Sequence, residues 1–306
     1  MLDANVILQD VRYSAQSGKR SELVIASDQR VLRLLASRSV VEEVKEHLDR
    51  MTTPSISLST LEGEWKRLYG PRLWVVEIPA DTSDPEVQEV FLKDPDDATS
   101  ISLARLVAPC LLFSGNTKHL PMAVSDWLAV TRQVKRLAWA QATLDGVSSM
   151  VGMTVGLPVA SLVGLGGAVR RLPRGWAAVV GGGLLVAGVV YFRSEASHRH
   201  RDKLAGGLMA LATQIGTEMD RAWRTRAETV PMVEPRFIPP PDVLSPMNRA
   251  ARFLAVNPWR TATEVAQQLP SNDGRPWTAT RVKAEILEPS AAFVGRDRRW
   301  ALGKTQ

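Results

Sequence analysis

Residues 2–6 read Leu-Asp-Ala-Asn-Val, the first of four signals that together indicate the fold. An apolar strand here ends in Asp3, and Asn5 comes two residues later. The second signal, Ser-Val-Val-Glu-Glu-Val at residues 39–44, places acids within a helical pattern. A lone Asp-x-Asn is a weak signal, and a pair of glutamates also fits a solvated helix face. Neither segment decides the fold by itself, and two further segments strengthen the indication.

The third and fourth signals lie about 50 residues further on. Residues 94–98 read Asp-Pro-Asp-Asp-Ala and precede a small, apolar helix predicted at 101–107. That run also fits a plain helix N-cap, since Asp and Pro both favour helix starts. Residues 111–120, Leu-Leu-Phe-Ser-Gly-Asn-Thr-Lys-His-Leu, predict a strand that opens into a polar turn. His119 in that turn either lines a cleft or caps the turn.

Short apolar runs alternate with helical patterns through residues 1–140. The runs predict strands at 23–25, 73–78 and 111–113, and helices at 31–35, 40–48 and 101–107. Helices that alternate with short buried strands are typical of an α/β fold built around a parallel sheet.

The four signals in this order resemble the PIN domain nuclease family over residues 1–135, which predicts a PIN-like α/β/α domain at 1–140. The resemblance places these residues at the family's catalytic positions: Asp3, Glu43, Asp97 and Asn116. It implies metal binding by Asp3, Glu43 and Asp97. Supporting or alternative roles fall to Asn5, Ser114, Glu42 and Asp94.

Clustered carboxylates repel one another unless a cation intervenes, and Mg²⁺ or Mn²⁺ takes oxygen ligands. The resemblance therefore implies metal-dependent phosphodiester hydrolysis, most often of RNA, with DNA as a second substrate. Toxin-like members of such a family imply an inhibitor protein as partner. Two departures matter: Asn116 stands where an acid is common, and almost no chain precedes Asp3.

Residues 147–169 and 175–192 carry no charged side chain. A membrane-spanning helix needs about 20 apolar residues, so we predict a transmembrane helical hairpin at 145–192. Arginines and lysines on both flanks favour the inner (cytoplasmic) membrane, with both soluble regions cytoplasmic and membrane lipid as a partner. A buried soluble hairpin, or interfacial helices in an oligomer, would also fit this pattern.

An amphipathic helix or stalk is predicted at 193–228, where it could reinforce a homo-oligomer. Pro239-Pro240-Pro241 indicates a stiff linker over 229–245. Residues 246–306 then predict three helices and a hairpin, with capping-box spacing between Thr261 and Glu264. This order is similar to a winged helix-turn-helix domain.

The winged-helix resemblance implies contacts with nucleic acid from the third helix and the wing. The residues concerned are Thr280, Arg281, Lys283, Arg296, Arg298 and Arg299. Residues 193–306 hold 18 Lys and Arg against 12 Asp and Glu, so the basic excess of the chain lies in this third. A polyanionic partner fits that excess. The alternative is a winged helix that binds protein, and the acids on the third helix keep this alternative open.

One cysteine, Cys110, excludes an intramolecular disulfide and Cys-based zinc spacing. Two functional hypotheses remain. The first is a membrane-tethered, metal-dependent endoribonuclease. The second is a non-catalytic, membrane-bound DNA-binding regulator with a degenerate PIN scaffold, motivated by Asn116 and the short first strand.

Overall fold

The computed structural model describes residues 1–156, 198–271 and 275–305, with the backbone alone over 147–156 and 198–212. Its α-helices are α1 Ala4–Ser17, α2 Glu22–Asp28, α3 Arg38–His47, α4 Leu58–Tyr69, α5 Pro85–Lys93, α6 Pro95–Val107, α7 Trp127–Gly156, α8 His198–Val233, α9 Pro246–Val256, α10 Ala262–Ala266 and α11 Ala279–Val282. Its strands are β1 Leu34–Ser37, β2 Leu73–Val76, β3 Arg260–Thr261, β4 Phe293–Arg296, β5 Arg299–Leu302 and β6 Lys304–Thr305. Short 3-10 turns occupy Asp49–Met51 and Glu234–Arg236, and a π turn occupies Lys283–Leu287.

Polar side chains begin most of the helices in the first part of the chain. Asp84 and Asp94 each precede a proline, and each accepts backbone N–H groups at the start of α5 or α6. Asp3 does the same for α1, which ends at Gly18 in the left-handed conformation. These caps satisfy donors that the first helical turn leaves unpaired, so the local sequence sets where the helices begin.

Two short parallel strands form the centre of the first sheet. β1 and β2 pair in register from Leu34 with Leu73 to Ser37 with Val76. Beyond β1 the sheet is extended by residues that pair singly. The N–H of Leu2 donates to the carbonyl of Leu35 in β1, and Leu2 forms a parallel bridge with Phe113 on its other side. The strand ends that carry Asp3 and Ser114 therefore lie side by side.

One segment predicted as a strand is a helix in the structure, and one segment predicted as a helix leads into a strand. Residues 23–25, predicted as a strand, lie in helix α2, because Ser21 caps it and its apolar side chains are buried. Residues 31–35, predicted as part of a helix, lead into strand β1. Pairing with β2 decides this second segment, and a partner nearly 40 residues away is not visible in a local pattern.

The C-terminal residues complete the same compact unit. Residues 1–133 and 232–306 form one unit, and their apolar side chains share one hydrophobic core. Strand β6 pairs antiparallel with β2, while β3, β5 and β4 form a separate sheet. The capping box predicted for Thr261 and Glu264 is confirmed.

Arg33 fastens helix α9 to the first sheet. Its guanidinium lies 3.8 Å from the centre of the Trp74 ring and donates to the carbonyls of Leu254, at 2.9 Å, and Ala255. Burial lowers the pKa of Arg33 to about 10. A half-buried cation that satisfies two helix-end carbonyls gives this junction a defined geometry.

A second unit, residues 134–231, contains parts of α7 and α8. Ala140, Leu144 and Ala222 are buried within it, and Arg221 lies over the ring of Trp139 at 5.4 Å. In the region predicted as a linker, α8 continues to Val233. Ile238, which follows within the first unit, donates its N–H to the carbonyl of Cys110 in the same unit.

The predicted fold class needs a correction. The described residues are mainly helical with two small sheets, and none of their helices is both long and apolar enough to cross a bilayer. Residues 145–156 of the predicted transmembrane hairpin belong to α7, which also carries Arg132, Lys135 and Arg136. The transmembrane hairpin at 145–192 and the inner-membrane location are therefore not supported; residues 157–192 lie outside the described residues.

Candidate metal centre

Asp3 is held rigidly at the junction of the first strand and α1. It is buried, and its Oδ1 accepts the N–H of Ala4 at 2.7 Å. Its Oδ2 accepts from the amide of Asn5 at 2.6 Å and from the hydroxyl of Ser114. Asn5 also accepts the N–H of Gly115 at 2.8 Å, so the Asp-x-Asn segment and the 114–115 turn form one hydrogen-bonded corner.

Asp94 and Asp97 occupy the start of α6. Asp94 Oδ1 caps the helix by accepting N–H groups from Asp96 and Asp97 at 3.1 and 3.4 Å. The Asp97 side chain is buried on the first turn, and its Oδ2 accepts from the Asn116 amide at 3.0 Å. The helix start and the polar turn are therefore joined directly, as parallel topology at a strand edge allows.

Asp94, Asp97 and His119 each offer a ligand atom, and these atoms all lie within 4.8 Å of one another. His119 Nδ1 lies 3.8 Å from Asp97 Oδ2. Of these three residues, the sequence placed only Asp97 among the metal ligands. One feature could have indicated His119 as a ligand, which is its position three residues after Asn116. The two residues share a helical turn, which the Leu120 N–H closes by donating to the Asn116 carbonyl.

The two adjacent acids of α3, Glu42 and Glu43, lie in different environments. Glu42 is exposed and pairs with Arg38 at 3.8 Å. Burial, followed by the charges of Asp3, Asp94 and Asp96, raises the pKa of Glu43 to about 7, while the charge of His47 opposes this rise. Glu43 is therefore the α3 carboxylate within electrostatic reach of the site.

Asp97 experiences the same crowding. Burial and then the charges of Asp3, Asp94 and Glu43 raise its pKa to about 7, and the hydrogen bond from Asn116 opposes this rise. Burial also raises the pKa of Asp3, with Ser114, Ala4 and Asn5 lowering it in part. Four carboxylates thus share one corner, where burial and the charges of neighbouring carboxylates raise these pKa values. Such a cluster has the donor set that a divalent cation takes.

The crowding predicts that the metal-free protein loses stability as pH rises. Glu43 and Asp97 have folded pKa values near 7, above their usual 4.5 and 3.8, so folding favours their protonated forms. This contribution is complete below about pH 4 and is lost as pH rises through about 7. We expect the Tm in EDTA to fall between pH 5 and 8, and to fall less in Asp97→Asn. Equal slopes for both proteins would contradict this electrostatic picture.

The candidate nucleic-acid residues lie elsewhere in the unit. Arg281 stacks on Trp277 at 4.2 Å and pairs with Glu285 at 3.0 Å, while Lys283 pairs with Glu288 at 3.1 Å. Thr280, on the same helix, is exposed. The cations of the third helix are therefore already engaged by neighbouring acids.

The wing turn presents its arginines differently. Arg296 pairs with Asp297 at 3.5 Å, and both side chains are largely exposed. Arg298 and Arg299 are exposed, and Asp297 and Arg298 have left-handed backbone angles that form a tight hairpin turn. Of the six predicted nucleic-acid residues, those of the wing are the more accessible.

Comparison of the chain with protein-family models finds no match. Comparisons with curated proteins and with solved structures find no match either. The functional assignment therefore depends on the geometry of the site.

Proposed function

We propose that this chain is a divalent-metal-dependent nuclease of the PIN-like type that hydrolyses phosphodiester bonds, with RNA as its expected substrate. One observation carries the proposal. Asp3, Glu43, Asp94 and Asp97 converge from three separate segments on one corner, where burial and mutual repulsion raise the pKa of Glu43 and Asp97 to about 7. Clusters of strongly perturbed groups mark functional sites more often than structural ones.

The residues present fit a bound Mg²⁺ or Mn²⁺. Asp94 and Asp97 offer carboxylate oxygens close together, and Asp3 adds negative charge from a rigid position. A bound divalent ion would supply charge stabilisation at the scissile phosphate and lower the pKa of a nearby water.

The protein's own groups have separate tasks in this proposal. Ser114 and Asn5 hold Asp3 in one orientation, and Asn116 holds Asp97. Glu43, with a pKa of about 7, can accept a proton at its carboxylate near neutral pH, as a general base does. A covalent nucleophile is not required.

The test is cleavage of labelled single-stranded RNA and single-stranded DNA by the full chain, with Mn²⁺, with Mg²⁺ and with EDTA. The full chain is needed because β6 and residues 232–306 share a sheet and a core with residues 1–133. Cleavage that requires the metal and prefers RNA is the expected result. A folded protein that neither binds Mn²⁺ nor cleaves would favour a non-catalytic scaffold.

The wing is expected to contribute most of the C-terminal affinity for nucleic acid. Replacing Arg298 and Arg299 with alanine should weaken binding of single-stranded RNA and lower the salt slope by about 1.4, since each lost phosphate contact removes about 0.7. Arg281→Ala is the matched control, because Glu285 and Trp277 already engage that side chain. Filter binding across a range of salt concentrations measures both variants. A larger loss in Arg281→Ala would assign contact to the helix instead.

A further inference from the structure

We propose that His119 is a nitrogen ligand of this centre, which therefore takes a divalent first-row transition ion such as Mn²⁺ in preference to Mg²⁺. The inference rests on the proposed metal centre and adds the identity of one ligand and the selectivity it confers. Carboxylate oxygens suit both Mg²⁺ and Mn²⁺, whereas an imidazole nitrogen suits transition ions.

The spacing of the ligand atoms fits a shared ion, which would replace the Asn116 amide that bridges two of them. His119 Nδ1 and Asp97 Oδ2 lie 3.8 Å apart, which is too long for a hydrogen bond. Two ligands held about 2.1 Å from one ion lie about 3 to 4 Å apart, so this distance fits a common cation. With Asp94 the three ligand atoms span at most 4.8 Å, which small side-chain rotations would close.

The hydrogen bonding identifies Nδ1 as an acceptor atom. The Asn116 amide nitrogen lies 3.0 Å from Asp97 Oδ2 and 3.3 Å from His119 Nδ1. One NH₂ group can donate to both atoms, so both present lone pairs toward the same point. A bound ion would take the place of the Asn116 amide on these two atoms.

Asn116 explains why a nitrogen ligand belongs here. Its backbone N–H donates to Ser114 Oγ at 2.9 Å, and its carbonyl accepts from Leu120 at 3.0 Å, so the turn that carries His119 is tied to the Asp3 corner. A neutral amide at this position supplies one carboxylate fewer than an acid would. His119 provides a ligand in its place.

Imidazole changes which ion the site prefers. Mg²⁺ favours oxygen ligands and gives up its water shell reluctantly, whereas first-row transition ions accept imidazole nitrogen. We therefore expect the wild-type chain to bind Mn²⁺ at least about tenfold more tightly than Mg²⁺. In His119→Gln that ratio should fall by about tenfold, mostly through weaker Mn²⁺ binding.

The deciding experiment is pulsed electron paramagnetic resonance of the full chain loaded with Mn²⁺. A directly bound imidazole gives a nitrogen modulation of the Mn²⁺ signal, which we expect in the wild type and not in His119→Gln. His47→Gln is the matched control, because His47 lies near Glu43 but outside the three-residue set, and it should retain the modulation. Circular dichroism checks that each variant is folded.

The outcomes separate the inference from the proposed function. Bound Mn²⁺ without nitrogen modulation in the wild type would overturn the role of His119 and leave the nuclease proposal standing. Modulation that survives in His119→Gln and disappears in His47→Gln would also overturn it. A wild-type chain that binds no Mn²⁺ would overturn both.

Discussion

Asp97→Asn is expected to lower the rate of metal-dependent RNA cleavage by about a thousandfold while leaving the protein folded. Asp97 is buried and lies in the set of closest ligand atoms, so its loss removes both a metal ligand and a negative charge. Stabilisation of transition-state charge by a metal is worth several kcal/mol, and each 1.36 kcal/mol is a factor of about ten in rate.

The same change should stabilise the metal-free protein. An asparagine is nearly isosteric with aspartate, and its amide oxygen can still accept the hydrogen bond from Asn116. The substitution also removes a buried charge that Asp3, Asp94 and Glu43 repel. A higher Tm in EDTA together with a large loss of cleavage distinguishes loss of the site from unfolding.

Asp96→Asn is the matched control for this prediction. Asp96 is the adjacent residue on the same helical turn, but its side chain is exposed and outside the closest ligand set. Single-turnover cleavage at saturating Mn²⁺ should show less than about a threefold change for this variant, as expected for a surface charge in salt. Cleavage that persists in Asp97→Asn, or falls equally in both variants, would contradict the assigned site.

The second large effect is expected at the junction between the C-terminal strand and the first sheet. Gly303 has a φ of +67°, and a Cβ there would lie against the carbonyl oxygen of Val75 and 2.9 Å from Val76 Cγ2. Gly303→Ala should lower the free energy of unfolding by about 3 kcal/mol or more. The left-handed backbone costs about 1–2 kcal/mol, and displacing β6 from β2 adds the rest.

Gly63→Ala provides the control with the same chemical change. Gly63 lies in the exposed interior of α4, and no atom lies within 4 Å of its added Cβ. This variant should gain up to about 1 kcal/mol, because alanine favours helix over glycine. Urea unfolding measures both. A Gly303→Ala protein within about 0.5 kcal/mol of wild type would contradict the packing of β6 on β2.

Local sequence patterns located a substantial part of the fold. Helices α3 and α6, strand β2, the β4–β5 hairpin and the capping box of α10 reflect periodicity and capping chemistry that a short segment carries by itself. Asp3 and Asp97 were selected as candidates from local patterns too, since each lies where a strand ends or a helix begins. Each of these features depends on residues within one or two turns.

Where the patterns failed, a distant partner decided the outcome. Residues 34–35, predicted as helix, form a strand because β2 pairs with them. Among the described residues no helix is both long and apolar enough to cross a membrane, so the predicted transmembrane hairpin is not supported.

The sequence by itself determined the helix caps, the periodic elements and the acids at their ends, because these depend on interactions between near neighbours. Only the tertiary structure decided that His119 lies beside Asp97, that Asn116 bridges them, and that β6 completes the first sheet. Distances between segments up to about 230 residues apart are set by the packing of the whole core, and no local pattern encodes them.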